Sequence, residues 1–235
     1  MFRCIIFLIF MFQQTSGNLD WKTIPRKLIS YNKLLHSYPD MRNEQSRNPM
    51  ETVYLTIYYE SFCEDSRDFM TSQLVAAYEL LEPYLDVRLI PYGKATTKVV
   101  DSSEYYTFKC HHGPLECYGN KLHACALDIF SSEKSAHIFN MCLMDLDHTD
   151  KGSDDVAASK CGASLAFNVS SVKDCAKNKT GIFLHNYYGQ RTKMTSFKYV
   201  PHILINGVHS NGTNLIADIC ATLTSPPPGC KIFVY

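Results

Sequence analysis

One segment, Val53 to Leu81, changes from the pattern of a strand to that of a helix at a single cysteine. Its first seven residues, through Tyr59, are rich in β-branched and aromatic side chains and contain no turn residue, which indicates a strand buried on both faces. From Met70 onward, apolar residues recur every three or four positions, as on one stripe of a helix. Cys63 therefore lies where the strand turns into the helix.

The chain then returns to a strand, so that the unit is strand, helix, strand. Pro83 helps to stop the helix, and alternating apolar residues from Leu85 to Ile90 predict a second strand. The amide N–H groups and the dipole of a helix N-terminus stabilise a thiolate. A cysteine at this turn is therefore a candidate nucleophile.

The N-terminus, residues 1–17, has the pattern of a secretory signal peptide. Its apolar run from Cys4 to Phe12 is too short to span a bilayer. Cleavage near Gly17 would remove Cys4 and leave nine of the ten cysteines. We therefore expect a mature protein outside the cell or in an acidic endosomal compartment. Glycosylation sequons agree with this route and occur at Asn168, Asn178 and Asn211.

Composition narrows the domain organisation and the partners. Lys plus Arg and Asp plus Glu both number 23, so no net field attracts nucleic acid or an anionic membrane, and no later apolar run is long enough for a membrane span. The 46% hydrophobic content supports one sizeable domain. We assign residues 18–50 to a polar N-terminal extension, 51–225 to the domain and 226–235 to a C-terminal tail.

A second block, Cys110 to Cys125, contains three cysteines and three histidines. Successive cysteines are separated by six and seven residues, whereas structural zinc sites place two to four residues within a knuckle, so the spacing argues against metal. Disulfides are the default in an oxidising compartment. The block begins a disulfide-stapled helical insertion, about residues 94–197, and residues 96–103 at its start are predicted to be a polar linker.

Eight cysteines are expected to form disulfides, which leaves Cys63 unpaired. A leftover cysteine in a secreted chain suggests a reactive thiol, although a buried structural thiol is the alternative. Cys220 and Cys230 bracket a proline-rich turn and form the one pair that proximity predicts. The other pairings stay open among Cys110, Cys117, Cys125, Cys142, Cys161 and Cys175.

The C-terminal part restores strand character. Residues after Pro201 form an apolar run that ends at Asn206-Gly207, a hairpin turn, and a helix is predicted from Leu215 to Leu223. We assign no chemistry to the other histidines, which are expected to be surface or hydrogen-bonded polar residues: His185, His202 and His209.

The spaced motifs resemble the gamma-interferon-inducible lysosomal thiol reductase (GILT) family over residues 52–223. The block Cys110-x-His112-Gly113-x-x-Glu116-Cys117-x-x-Asn120-x4-Cys125 looks like the family signature. Three shorter motifs accompany it in the family's order: Tyr58-Tyr59-Glu60, Ile90-Pro91-Tyr92-Gly93 and Tyr199-Val200-Pro201.

The resemblance implies an α/β protein with a thioredoxin-like fold, delivery to lysosomes or to the outside, and a thiol that exchanges with the disulfides of protein substrates. It also implies that Pro201 is a cis proline beside Cys63. The chain departs from the family at two positions. Ser66 stands where the usual Cys-x-x-Cys motif has its second cysteine, and His111 replaces a glutamine.

Ser66 separates two functional hypotheses. A serine cannot resolve a mixed disulfide, although its hydroxyl can donate a hydrogen bond to the Cys63 thiolate. The first hypothesis is therefore a thiol–disulfide oxidoreductase of reduced competence that uses Cys63, needs no cofactor and depends on an external small-thiol reductant. The second is a secreted protein that binds extended chains or another protein partner without turnover.

Overall fold

A computed structural model describes residues 51–100, 105–147, 149 and 152–231. The expected signal peptide (1–17), the N-terminal extension (18–50) and the last four residues of the tail lie outside this part of the chain.

A four-stranded mixed sheet forms the centre of the domain, in the strand order β2-β1-β5-β6. Strand β1 (Val53–Tyr59) is parallel to β2 (Leu85–Pro91) and antiparallel to β5 (His202–Ile205), which pairs with β6 (Val208–Ser210). Strand β1 lies between two neighbours, and its inward residues are fully buried, as predicted. The prediction that both faces are buried is wrong at the start of the strand, where Tyr54 is 50% exposed and the centre of its ring lies 6.0 Å from the Arg88 guanidinium.

The hairpin between β5 and β6 turns at Asn206 and Gly207, whose φ angles are 50° and 81°. Two successive positive φ angles are typical of a type I′ turn, which glycine and asparagine tolerate best. The Asn206 side chain also accepts a hydrogen bond from the Tyr54 N–H at 2.9 Å, so the turn is attached to β1.

A continuous helical segment connects β1 to β2. It consists of α1 (Glu64–Asp68), a π-helical segment (Phe69–Leu74) and α2 (Val75–Leu81), followed by a 3₁₀ turn (Glu82–Tyr84). The hydroxyls of Thr71 and Ser72 donate to the carbonyls of Arg67 and Asp68, four residues earlier. Such bonds compete with the helical ladder and accompany its widening here.

The insertion between β2 and β5 is mostly helical, as expected, but it begins with a β-hairpin. Residues 96–103 were predicted to be a polar linker, and this prediction is wrong for the first five, which form β3 (Thr96–Val100) paired with β4 (Tyr105–Lys109). Threonine and valine favour the strand once β4 supplies hydrogen-bond partners. The helices of the insertion are α3 (Pro114–Ile129), α4 (Glu133–Met144), α5 (Asp155–Leu165), α6 (Ser170–Lys177) and α7 (Lys179–Lys193).

Four disulfides fasten the structure. They join Cys110 to Cys117, Cys125 to Cys175, Cys142 to Cys161, and Cys220 to Cys230. The first three lie in the insertion. The last connects α8 (Leu215–Thr222) to a short 3₁₀ turn (Pro228–Cys230), and it is the pair that proximity predicted.

The order of elements defines the fold. A parallel β-α-β unit, an antiparallel hairpin and a final helix, arranged on a β2-β1-β5-β6 sheet, constitute a thioredoxin-like fold with an inserted, disulfide-stapled helical region. Among the described residues, no helix is both long enough and apolar enough to cross a bilayer.

Candidate active site

Cys63 is the residue that immediately precedes α1. Its backbone is extended, with φ −74° and ψ 125°, and its carbonyl accepts the first helical hydrogen bond, from Arg67 N–H at 3.0 Å. The side chain is 9% exposed, and among the described cysteines it is the one without a disulfide partner. The free thiol therefore lies at the start of the helical segment, as the change of pattern in the sequence indicated.

The turn before Cys63 is held by α3. The Ser61 N–H donates to Asn120 Oδ1 at 2.9 Å, and the Ser61 hydroxyl donates to the Glu116 carbonyl at 3.3 Å. Gly119 permits this approach, because a Cβ atom there would lie 2.5 Å from Ser61 Oγ. Asn120 and Glu116 belong to the motif that the sequence shows, but no role could be assigned to them before the turn and α3 were seen together.

The loop before β5 provides the opposite wall of the site. The Val200–Pro201 peptide bond is cis, and the Cys63 thiol lies 3.7 Å from the Val200 carbonyl oxygen, to which it donates. Tyr199, the preceding residue, is 78% exposed. An extended chain that reached the thiol would therefore pass along backbone presented by this loop.

Ser66 lies on the first turn of α1 and is fully buried. Its hydroxyl has no hydrogen-bond partner among the described residues. Ser66 therefore does not donate the hydrogen bond to Cys63 that its position allows, and the thiol is directed toward the Val200 carbonyl instead.

Arg67 supplies the positive charge next to the thiol. Its Nε donates to the Ser61 carbonyl at 3.3 Å, and its guanidinium lies 5.1 Å from the centre of the Phe62 ring. Burial lowers the pKa of Arg67, and attraction to negative charge at Cys63 and Glu116 opposes that shift. In the structure Arg67 is partly buried, whereas Glu64 is exposed.

A second group of polar side chains lies on the other side of the same turn. Glu60 Oε2 is 3.3 Å from His111 Nδ1 and 3.4 Å from His112 Nδ1, and a Glu116 carboxylate oxygen contacts the same His112 nitrogen. Cys110 and Cys117 lie near His185, but their sulfurs are joined in a disulfide and cannot bind a metal. The group around Glu60 is the set that could hold an ion.

Of the histidines expected at the surface or in hydrogen bonds, His185 fits that prediction only in part: its Nε2 lies 3.9 Å from Cys110 Sγ. It is fully buried, its ring centre lies 4.4 Å from that of Phe108 and 5.0 Å from that of Tyr92, and its Nδ1 has no partner among the described residues. Burial lowers the pKa of His185 to about 3. His202 and His209 stack on each other with ring centres 4.9 Å apart, and His209 is exposed.

The remaining predicted sites are the glycosylation sequons, which play no part in the geometry of the active site. The three sequon asparagines, Asn168, Asn178 and Asn211, are all exposed. They remain predicted glycosylation sites.

These features define a class of protein: a thioredoxin-fold protein with one free thiol at the start of its first helical segment and a cis proline opposite. A sequence model described as gamma interferon inducible lysosomal thiol reductase (GILT) matches residues 54–165. The chain belongs to this family.

Individual relatives support that membership. The chain is 32% identical over 197 residues to GILT-like protein 1 of Drosophila melanogaster, covering 75% of this chain and 77% of that protein. It is also 32% identical over 181 residues to the gamma-interferon-inducible lysosomal thiol reductase of Carassius auratus, covering 73% of this chain and 68% of that protein.

Among solved structures, reduced DsbA from Mycobacterium tuberculosis aligns with a TM-score of 0.49 at 15% identity, over 81% of this chain and 90% of that one.

Proposed function

We propose that the protein is a thiol–disulfide oxidoreductase that attacks disulfides of protein substrates through Cys63 alone and turns over slowly. Membership in a family of thiol reductases supports the kind of reaction. The observation that carries the finer proposal is the pairing, on one helical turn, of a free Cys63 with a serine at position 66.

The first step is attack by the Cys63 thiolate on one sulfur of a substrate disulfide. A new S–S bond joins Cys63 to that sulfur, the substrate S–S bond breaks, and the second substrate sulfur leaves as a thiolate that takes up a proton. Nearby Arg67 and the helix N-terminus both favour the negative charge on the attacking sulfur.

The second step needs a thiol that this site does not contain. A second cysteine at position 66 would attack the mixed disulfide, whereas a serine hydroxyl cannot. An external small thiol therefore attacks the sulfur of Cys63 or of the substrate, and a second equivalent completes reduction, so that two small thiols become one disulfide. Slow release is the reason for reduced competence.

A protein that binds without turnover is the second candidate. The 9% exposure of Cys63 and the serine at position 66 favour it, because both limit reaction with a substrate disulfide. In either case we place the protein outside the cell, with the lysosome as the alternative, and we expect glycans at the three exposed sequons.

The test is disulfide reduction by the mature protein and by Ser66→Cys, with insulin as substrate and a small-thiol reductant, at pH 4.5 and pH 7. Residues three apart on the first turn of a helix lie within disulfide reach, so this change should rebuild a two-thiol motif. We expect Ser66→Cys to be faster by at least about tenfold, since release becomes intramolecular. Cys63→Ser should be inactive in both backgrounds.

The outcomes separate the candidates. A natural protein as fast as Ser66→Cys would refute reduced competence and imply another resolving thiol. If neither form reduces insulin, the binding-protein candidate replaces the enzyme.

A further inference from the structure

Three side chains with no role in the thiol chemistry converge beside the active-site turn. Glu60 directly follows the last residue of β1, and His111 and His112 lie on the loop before α3. Glu60 Oε2, His111 Nδ1 and His112 Nδ1 all lie within 4.8 Å of one another. Glu60 is about fifty positions from the two adjacent histidines in the chain, so the fold brings it close to them.

The distances suit a tetrahedral metal ion. Zinc binds imidazole nitrogen and carboxylate oxygen at about 2.0–2.1 Å, which places neighbouring ligand atoms about 3.3–3.4 Å apart in a tetrahedron. The separations from Glu60 Oε2 to the two ring nitrogens are 3.3 Å and 3.4 Å. These two separations are those of neighbouring ligands on one ion, and the ligand atoms of all three residues lie within 4.8 Å of one another.

The charge of the group also favours a cation. The side chains of Glu60 and Glu116 are both fully buried, and the described part of the chain places no Lys or Arg within 4.0 Å of either carboxylate. Buried carboxylates are costly unless they are paired or coordinate a metal. Arg67 is attracted to the charge of Glu116. Glu60 has only the two half-exposed imidazoles close to Oε2, and a divalent ion there would neutralise its charge.

The supporting contacts hold the ligands in place. The Cys110–Cys117 disulfide closes the loop that carries both histidines. The Lys94 N–H donates to Glu60 Oε1 at 2.7 Å, which leaves Oε2 to face the rings. Glu116 Oε1 accepts the His112 backbone N–H at 3.2 Å, which holds the backbone of this ligand in place. Glu116 Oε2 contacts His112 Nδ1, the nitrogen that would bind the ion, so the ion would replace this second contact.

Access from solvent is open on the histidine side. The side chains of His111 and His112 are 51% and 36% exposed, while that of Glu60 is buried. Three protein ligands and a fourth position that water can fill are the arrangement of zinc sites that are not purely structural.

We propose that Glu60, His111 and His112 bind one zinc ion, with Glu116 holding the backbone of His112 in place. The site uses histidine and carboxylate ligands, and it differs from the cysteine site that the sequence spacing argued against. It goes beyond the proposed oxidoreductase function and does not depend on it, because Cys63 is not a ligand.

The test is zinc binding by the folded mature protein, measured by isothermal titration calorimetry with ZnCl₂ after removal of metal with EDTA. We compare the natural protein with His111→Gln, which keeps a polar side chain of similar size but removes a ligand. His209→Gln, a change at an exposed histidine on β6, is the matched control. Cys63→Ser tests whether the free thiol takes part.

We expect one zinc ion per chain for the natural protein, His209→Gln and Cys63→Ser. Zinc affinity of His111→Gln should fall by at least about tenfold, since even residues that only support a ligand change affinity by 10–100-fold. Melting temperature is the second readout: at the same zinc concentration, zinc should raise that of the natural protein by more than that of His111→Gln.

Three results would overturn the proposal. They are equal affinity in His111→Gln, a loss of binding in His209→Gln or Cys63→Ser as large as that in His111→Gln, and the absence of stoichiometric binding by the natural protein. The melting temperature of metal-free His111→Gln is measured in the same experiment. A value below that of the metal-free natural protein would show that the fold is damaged, so loss of the fold is not mistaken for loss of the site.

Discussion

Individual residues on the active-site turn differ in how well their polar groups are satisfied. The hydroxyls of Ser61 and Ser66 are both buried, but that of Ser61 donates to a carbonyl and that of Ser66 has no partner in the described structure. A buried hydroxyl without a hydrogen bond costs about 1–3 kcal/mol. The Ser66 hydroxyl therefore does not stabilise the folded protein.

We predict that Ser66→Ala leaves the free energy of unfolding unchanged or raises it by up to about 1 kcal/mol. Ser61→Ala, the control on the same turn, should lower it by about 1 kcal/mol because a hydrogen bond is lost. Chemical denaturation at pH 7 measures both. An equal loss of stability in the two variants would show that the Ser66 hydroxyl is bonded after all.

At the scale of elements, the inserted helices are attached to the sheet by close contacts. Helix α7 passes the end of β2 at Gly189, where an added Cβ would lie 2.6 Å from Cε2 of Tyr92. The Tyr92 hydroxyl is 2.7 Å from the hydroxyl of Thr97, which fixes the ring against β3. The ring can therefore not move aside freely.

We predict that Gly189→Ala destabilises the protein by about 1–2 kcal/mol. Overpacking costs about 1–3 kcal/mol, and the better helix propensity of alanine returns up to about 1 kcal/mol. Gln190→Ala, at the exposed neighbouring position, should gain a few tenths of a kcal/mol or stay neutral. The prediction is wrong if Gly189→Ala has the higher denaturation midpoint.

At the scale of the whole molecule, several buried histidines make stability depend on pH. His123 lies between the hydroxyls of Tyr59 and Ser153, each 2.8 Å away, and burial, with a smaller effect of Arg67, lowers its pKa to about 3. Burial likewise lowers the pKa of His137 to about 4 and that of His185 to about 3. In the unfolded chain the ordinary histidine pKa is about 6.5.

Below about pH 6.5 the unfolded chain therefore binds protons that the folded protein does not. The free energy of unfolding consequently decreases as the pH is lowered from about 6.5 to about 3–4. We predict that these histidines account for about three of the protons that unfolding takes up near pH 5, and that carboxylates with a lowered pKa, such as Asp155, add to them. The slope of unfolding free energy against pH, measured between pH 6 and pH 4.5 at constant ionic strength, gives the total uptake, which should be about three protons or more. A slope near zero would contradict the buried, neutral state of the three rings.

Local sequence pattern determined much of the scaffold. The β-branched and aromatic run of β1, the helical period after Cys63 and the Asn206-Gly207 turn each depend on residues close in the chain, because backbone preference acts locally. The family motifs, which are also patterns in the sequence, extended the prediction from single elements to the thioredoxin-like fold.

Only the tertiary structure decided which distant groups meet. The sequence predicts a linker where β3 lies, because a polar strand is stabilised by its partner β4. It predicts a surface or hydrogen-bonded residue at His185, because the neighbours of His185 in the chain do not show that aromatic rings cover it. The pairing of six cysteines, the support of Ser61 by Asn120, and the approach of His111 to Glu60 were equally hidden. These contacts join residues on separate elements, and their distances are set by how helices and strands pack, which no local pattern encodes.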